Sequence, residues 1–236
     1  MVHMTYSYRL LVGLITIISG VIAASCLITG MVAVDFNFDA FSNPIQTLEY
    51  SSNASLAGLF NLFDMFGYYL LLTPLILFLN QQYKFRSPWM PLYTFSGLAY
   101  ILIGAIGAAV LYAVWPALMA LYLKAGKENY QVIVIQFQTI TDAVTRGLWN
   151  TLQNFFAATW WIGIGSLLYK DRKWVALLSI ATGVSCLIDG IGNISGVSFM
   201  AEIGLNAYLV LAIVWSFVAG SFVLMGSNQS SLKLSE

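Results

Sequence analysis

Six long apolar stretches alternate with short polar breaks along the chain, at 10–34, 56–79, 91–115, 147–169, 174–197 and 205–225. Each meets the requirement of about 20 residues for a helix crossing the bilayer core. The runs are continuous. They lack the apolar–polar alternation of a membrane β-barrel strand and so predict helices. Of the prolines, Pro44, Pro88, Pro91 and Pro116 fall at or near ends, whereas Pro74 follows Thr73 inside the second stretch and predicts a kink. Residues 128–146 are too polar to span. Their apolar positions Ile133, Phe137, Ile140, Val144 and Leu148 nevertheless recur at helical spacing. They predict an amphipathic helix that projects from the fourth span, or breaks near Gly147 and caps the external ends of the bundle. The expected fold is all-α: a polytopic membrane protein, a six-helix transmembrane bundle with an external amphipathic helical segment, forming one domain over 1–236.

Composition narrows the class. Hydrophobic residues make up 59% of the chain and charged ones 8%, against about 25% charge in soluble domains. So few charges cannot cover a water-facing surface, and a disordered chain needs the opposite balance. Ten basic and ten acidic residues cancel, so the basic footprint of a nucleic-acid binder is missing.

Charge placement predicts orientation. With six spans both termini share a side. That side carries Arg9, Lys84, Arg86, Lys170, Arg172, Lys173 and Lys233; the other carries Lys124, Lys127 and Arg146. The positive-inside rule then puts both termini, including the 227–236 tail, in the cytoplasm. The 35–55 loop, with Asp35, Asp39 and Glu49 but no Lys or Arg, is external. Trp89, Trp115, Trp149, Trp174 and several Tyr lie near span ends and read as interfacial belt residues. Ala23-Ala24-Ser25-Cys26 loosely resembles a lipoprotein cleavage site, but the apolar run continues to Val34 and reads as an uncleaved anchor.

Two segments resemble each other. Tyr83-Lys84-x-Arg86 and Trp89 correspond to Tyr169-Lys170-x-Arg172 and Trp174; Leu102-Ile103-x-x-Ile106-Gly107 corresponds to Leu187-Ile188-x-x-Ile191-Gly192. Repeated hairpins of one orientation occur in transporters. Any two positive-inside turns also look alike, so duplication and coincidence both stay open.

Polar residues inside spans are few and costly, which makes them the candidate chemistry. The second span has Asn61 and Asp64. The fourth begins with Asp142 and Arg146, followed by Asn150, Gln153 and Asn154. The fifth has Asp189 and Asn193, and Glu202 and Asn206 flank the sixth. By span direction, Asp64, Arg146 and Asp189 fall at one depth toward the external side. They predict an outward-facing polar pocket of Asn61, Asp64, Arg146, Asn150, Gln153, Asp189 and Asn193. Arg146 is its strong cation, and a spare carboxylate is left to take a proton, a small cation or an amine. The competing reading is that these groups hold helices together, with Asp142 and Arg146 paired along their own helix.

Several chemistries drop out. His3 is the single histidine and lies before the first span, which removes His-based zinc sites, Ser–His hydrolases and paired-histidine haem ligation. No Gly-Lys-Ser/Thr phosphate loop occurs, and no span offers a lysine for a retinal Schiff base. Phe63-Asp64 and Ile188-Asp189-Gly190 do not resemble the Tyr-Asp and Gly-x-Gly-Asp pair of intramembrane aspartyl proteases. No cofactor or metal is called for. Cys26 and Cys186 read as small packing residues. Gly97, Gly104 with Ala108, Gly163 with Gly165, and Gly192-x-x-x-Gly196 read as close helix-packing points.

The segment Thr159-Trp160-Trp161-Ile162-Gly163 to Tyr169-Lys170, followed by Leu187-Ile188-Asp189 in the next helix, resembles the bacterial domain-of-unknown-function 4386 family of membrane proteins. Asn61-Leu62-Phe63-Asp64-Met65-Phe66-Gly67 is similar to that family's Asp-x-x-Gly helix. The similarity covers residues 56–195. The four–five turn departs from the family, since it lacks a proline and reads Lys170-Asp171-Arg172-Lys173. The resemblance implies fold and membrane location, and no particular chemistry.

The leading functional expectation is a non-enzymatic transport-like or ligand-sensing module. Its partners would be the lipid bilayer and a small cation, amine or lipid headgroup. The alternatives are an outer-leaflet enzyme using Asp64 and Asp189 as acid and base, and an assembly subunit.

Overall fold

The computed structural model describes residues 6–37, 40 and 43–232. Among these the chain is helical, with no strand. Helix α1 is Tyr6–Ala33, and α2 covers Pro44–Tyr83. They are followed by α3 Met90–Lys124, the amphipathic α4 Lys127–Asp142 and a π-helical stretch Ala143–Gln153. Then come α5 Asn154–Leu168, α6 Lys173–Ser195 and α7 Ser198–Leu232. Five of these, α1, α2, α3, α6 and α7 through Met225, are each long and apolar enough to cross a membrane. The predicted fourth span is divided between the π stretch and α5. Helix α7 runs on into the segment expected to be a tail. His3, Asp39 and Lys233 lie outside the described residues.

The order of packing is a closed ring, α1 on α2, α2 on α3, α3 on α5, α5 on α6, α6 on α7 and α7 back on α1. Outward faces are apolar. On α1 the exposed residues Leu11, Leu14, Ile18, Val21 and Ile28 repeat at helical spacing. A stripe of that length in water would be an aggregation site; facing acyl chains, it is the expected surface. The chain is an integral membrane protein.

The interior is aromatic. Trp160, Trp161, Trp215 and Tyr100 are fully buried. Tyr100 stacks on Trp160 with ring centroids 6.3 Å apart, and Trp161 meets Trp215 edge-on at 5.8 Å. Such pairs favour fixed geometry over a loosely greasy core.

Helix α2 breaks beside this cluster. It is α-helical over Ala54–Asp64, π-helical over Met65–Tyr69, tightens to 3₁₀ over Leu70–Leu72, and restarts at Thr73. Tyr69 leaves helical geometry, at φ −124° and ψ −82°. Pro74 explains the restart: it has no N–H to bond the Leu70 carbonyl, which instead takes the Thr73 N–H. The expected kink is present, but it begins more than a turn before the proline. Loose carbonyls within the break are served by other helices. Ser19 Oγ of α1 donates to the Gly67 carbonyl at 2.5 Å, and Tyr100 OH of α3 to the Tyr68 carbonyl at 2.7 Å. A Cβ on Gly67 would meet the α1 backbone at Ala23.

The amphipathic segment caps one end of the bundle. Ile133, Phe137 and Val144 are buried against Leu48, Ala57, Leu111, Leu118 and Met119. Trp115 lies beneath them, 8% exposed, stacked on Phe137 and donating its indole N–H to Thr141 Oγ1 at 2.9 Å. Trp115 is therefore a core residue and not a belt residue. Trp149 is half-buried and donates to the Gly104 carbonyl at 3.2 Å. Trp89 and Trp174 are exposed at the opposite end, at equivalent places in the two similar segments. Gly97, Gly104, Gly163, Gly165 and Gly192 pack tightly as expected, but Gly196 does not. Gly196 ends α6 in the left-handed region, at φ 72°, so that Val197 N–H can reach back to the Gly192 carbonyl.

Tyr100→Phe removes the donor to the Tyr68 carbonyl and strands that carbonyl in the core. The unfolding midpoint in detergent should fall by roughly 3–8 °C, the equivalent of about 1–3 kcal/mol. Tyr112→Phe, on the exposed face of α3, should leave it unchanged, and equal midpoints for both would refute the stitching role.

Candidate functional site

The sequence-predicted residues divide into two networks on either side of α5. Gln153 and Asn154 are consecutive, at the junction of the π stretch and α5, and point to different helices. Asn154 faces α6. Its Nδ2 donates to Asp189 Oδ2 at 2.6 Å and to the Asn150 carbonyl at 3.1 Å. Asn193, one turn beyond Asp189, donates to Asp189 Oδ1 at 2.6 Å. Asp189 is 1% exposed, and both of its oxygens are bonded. On the far side, Gly204 of α7 lies so close that a Cβ would collide with the Asp189 backbone. The arrangement ties α5 to α6 by charge-assisted hydrogen bonds. Asn150 enters it through its backbone carbonyl.

Gln153 faces α2. It is 2% exposed and its Nε2 donates to Tyr69 OH at 3.3 Å, within the break. Asn61 and Asp64 are buried on α2, one turn apart, immediately before the break. Asn61 Nδ2 is used on the Ala57 carbonyl of its own helix, at 2.9 Å. Three buried oxygens of this group, Asn61 Oδ1, Asp64 Oδ2 and Gln153 Oε1, have no hydrogen-bond partner. Tyr100 OH also meets Tyr208 OH at 2.8 Å, which extends the polar path to α7.

Arg146 joins neither network. Its side chain is 70% exposed, and Nε bonds Asp142 Oδ1 at 3.1 Å, one turn back. The expectation that Arg146 neutralises Asp64 or Asp189 is overturned, and the single shared pocket with it. The reason lies in the π stretch. Its wider turn shifts the register between Arg146 and Gln153, so Arg146 stays on the exposed face while Gln153 and Asn154 turn inward.

The tyrosines were not legible as site residues, because a chain with 13 of them gives no reason to prefer four. Ser19 and Cys26, on the inner face of α1, were equally silent; Cys26 Sγ meets the Phe60 carbonyl at 3.4 Å. Cys26 and Cys186 are both buried and free. Two cavities stand apart from both networks. One, of about 10 Å³, adjoins Gly30, Thr47 and Trp115. The other, of about 300 Å³, lies at the end of the bundle that carries Arg9.

The fold and these networks define a polytopic α-helical membrane protein with a buried carboxyl group, one oxygen of which has no hydrogen-bond partner, beside a helix break. No family model matches the chain, and no curated protein and no solved structure matches it.

Asn154→Leu leaves Asp189 Oδ2 without its donor. It should lower the unfolding midpoint by several degrees, since a stranded buried acceptor costs about 1–3 kcal/mol. Arg146→Gln removes only an exposed pair and should shift the midpoint by less than about 1 °C. A large loss in the second variant would mean that Arg146 reaches a buried carboxylate after all.

Proposed function

We propose that the protein is a non-enzymatic transport-like or ligand-sensing module of a bacterial cytoplasmic membrane, with both termini cytoplasmic, and that Asp64 is its working group. One observation carries this reading: Asp64 Oδ2 is buried in the bundle without a hydrogen-bond partner, directly before the π-helical break of α2. A carboxyl group in such surroundings must be matched by a proton or a cationic ligand. Interrupted helices at mid-membrane are where small transport proteins place ligand and ion sites. The oxygens of Asn61 and Gln153 would complete a site for a proton, a small cation or a protonated amine. The break gives α2 a place to bend and admit it.

Orientation rests on Arg9, Lys84, Arg86, Lys170, Arg172 and Lys173, which gather at the end of the bundle carrying the N-terminus. Membership of the domain-of-unknown-function 4386 family belongs to the same proposal and rests on the motifs at 61–67 and 159–189. Asp189 takes the competing role. Its oxygens are both bonded by asparagine side chains, which suits a group that joins helices. A two-carboxylate enzyme would need Asp64 and Asp189 to converge, whereas each belongs to its own network.

The test is thermal unfolding of the purified protein across pH with sodium, potassium and a panel of organic amines. A ligand bound only by the folded state should raise the wild-type midpoint by about 3 °C or more at saturation. Asp64→Asn should fold and lose that shift, while Asp189→Asn should keep it. A strongly destabilised Asp64→Asn with no ligand response in the wild type would reduce Asp64 to a packing residue.

A further inference from the structure

The unpartnered atoms around Asp64 are all of one kind. Asn61 Oδ1, Asp64 Oδ2 and Gln153 Oε1 are buried acceptors without a donor. Their side chains are only 0%, 7% and 2% exposed. The amide nitrogens beside them are engaged: Asn61 Nδ2 on the Ala57 carbonyl at 2.9 Å, Gln153 Nε2 on Tyr69 OH at 3.3 Å. Those bonds fix which end of each amide is left over, and in both it is the oxygen.

The break of α2 brings the three together. Asn61 and Asp64, three residues apart, share a face of the helix. The π turn that follows sets residues five apart one above the other, which carries that face on to Tyr69. Tyr69 OH in turn holds Gln153. The Gly67 and Tyr68 carbonyls in the break are taken by Ser19 and Tyr100. The acceptors left over here are therefore side-chain oxygens.

Counting donors separates the ligands that could serve them. A proton on Asp64 makes one donor, which serves Asp64 Oδ2 and one amide oxygen. A water molecule brings two donors and also serves two. A bare metal cation can be shared by all three, and a set made only of oxygens suits a hard one. One carboxylate matches a single positive charge. Among the described residues no three of His, Cys, Asp and Glu come together, whereas calcium and zinc sites gather several such ligands. An organic ammonium has donors enough but also bulk, and the break is packed tightly. A Cβ on Gly67 would meet the Ala23 backbone, and one on Gly104 would collide with the Tyr69 ring.

We infer that this site binds a dehydrated alkali-metal cation, held by Asp64 Oδ2, Asn61 Oδ1 and Gln153 Oε1. The inference rests on the ligand-binding role proposed for Asp64 and narrows its ligand to one class. Interrupted membrane helices are a recurrent setting for such ions. The amides then have a binding role of their own: each supplies an oxygen that a proton site would not need.

The experiment is thermal unfolding of the purified full chain in sodium or potassium chloride against choline chloride at equal ionic strength. Sodium or potassium should raise the wild-type midpoint by about 3 °C or more above choline. Asp64→Asn should lose that shift. Asn61→Ala and Gln153→Met each remove one oxygen and should raise the salt concentration giving half the shift by about tenfold. Asn193→Ala strips a donor from Asp189 instead; it should lower the midpoint in choline and keep the alkali shift at the wild-type concentration. Should Asp64→Asn fail to fold, the two amide variants decide. An alkali shift unaltered in both amide variants, or equally weakened in Asn193→Ala, would overturn the inference. If methylammonium raises the midpoint through Asp64 and the alkali cations do not, the ligand-binding reading of Asp64 stands and this inference falls. If neither does, both fall.

Discussion

A backbone carbonyl that leaves its helix ladder inside a bilayer finds no water, so another part of the protein must supply a donor. Helix α2 creates that demand near its centre, where it passes through π and 3₁₀ geometry before Thr73. Much of the surrounding structure answers it. Ser19 brings α1 to the Gly67 carbonyl and Tyr100 brings α3 to the Tyr68 carbonyl. Tyr68 OH in turn donates to the Leu209 carbonyl of α7 at 3.2 Å. The break is thus a hub as well as a weakness. It fixes the positions of four helices around the aromatic core and leaves Asp64 at its edge.

The two buried aspartates show how context divides one residue type between two roles. Asp189 is held by two asparagine amides and packed under Gly204. Removing either donor leaves an uncompensated polar atom, so this group is committed to joining α5 and α6. Asp64 keeps an oxygen unpartnered at similar burial. At the N-terminal end Asp171 is likewise occupied, by Tyr83 and Arg86.

Much of this was legible from residues alone. The apolar runs specified the helices because bilayer thickness sets one length for all of them. The spacing of Ile133, Phe137 and Val144 specified a face, and that face is buried against α2 and α3. Pro74 announced a discontinuity, since the missing N–H is a local property. Arg146 misled, because position along a helix axis predicts depth but not azimuth. A π stretch shifts azimuth, and nothing in Ala143–Gln153 proclaims a π stretch in advance. Trp115 misled for a related reason: nearness to a span end suggested an interface, while the amphipathic cap covers it.

The sequence by itself determined that the chain is a helical membrane protein and which polar groups are costly enough to matter. These follow from hydrophobicity and hydrogen-bonding demand, which act locally and need no partner. Only the tertiary structure decided which of those groups are satisfied. Whether Asp64 or Asp189 has donors depends on which side chains of other helices face it, and so on helix rotation and close approach. Those are set by the packing of Gly67 on α1, Gly204 on α6 and the aromatic core between them, and no single segment encodes them.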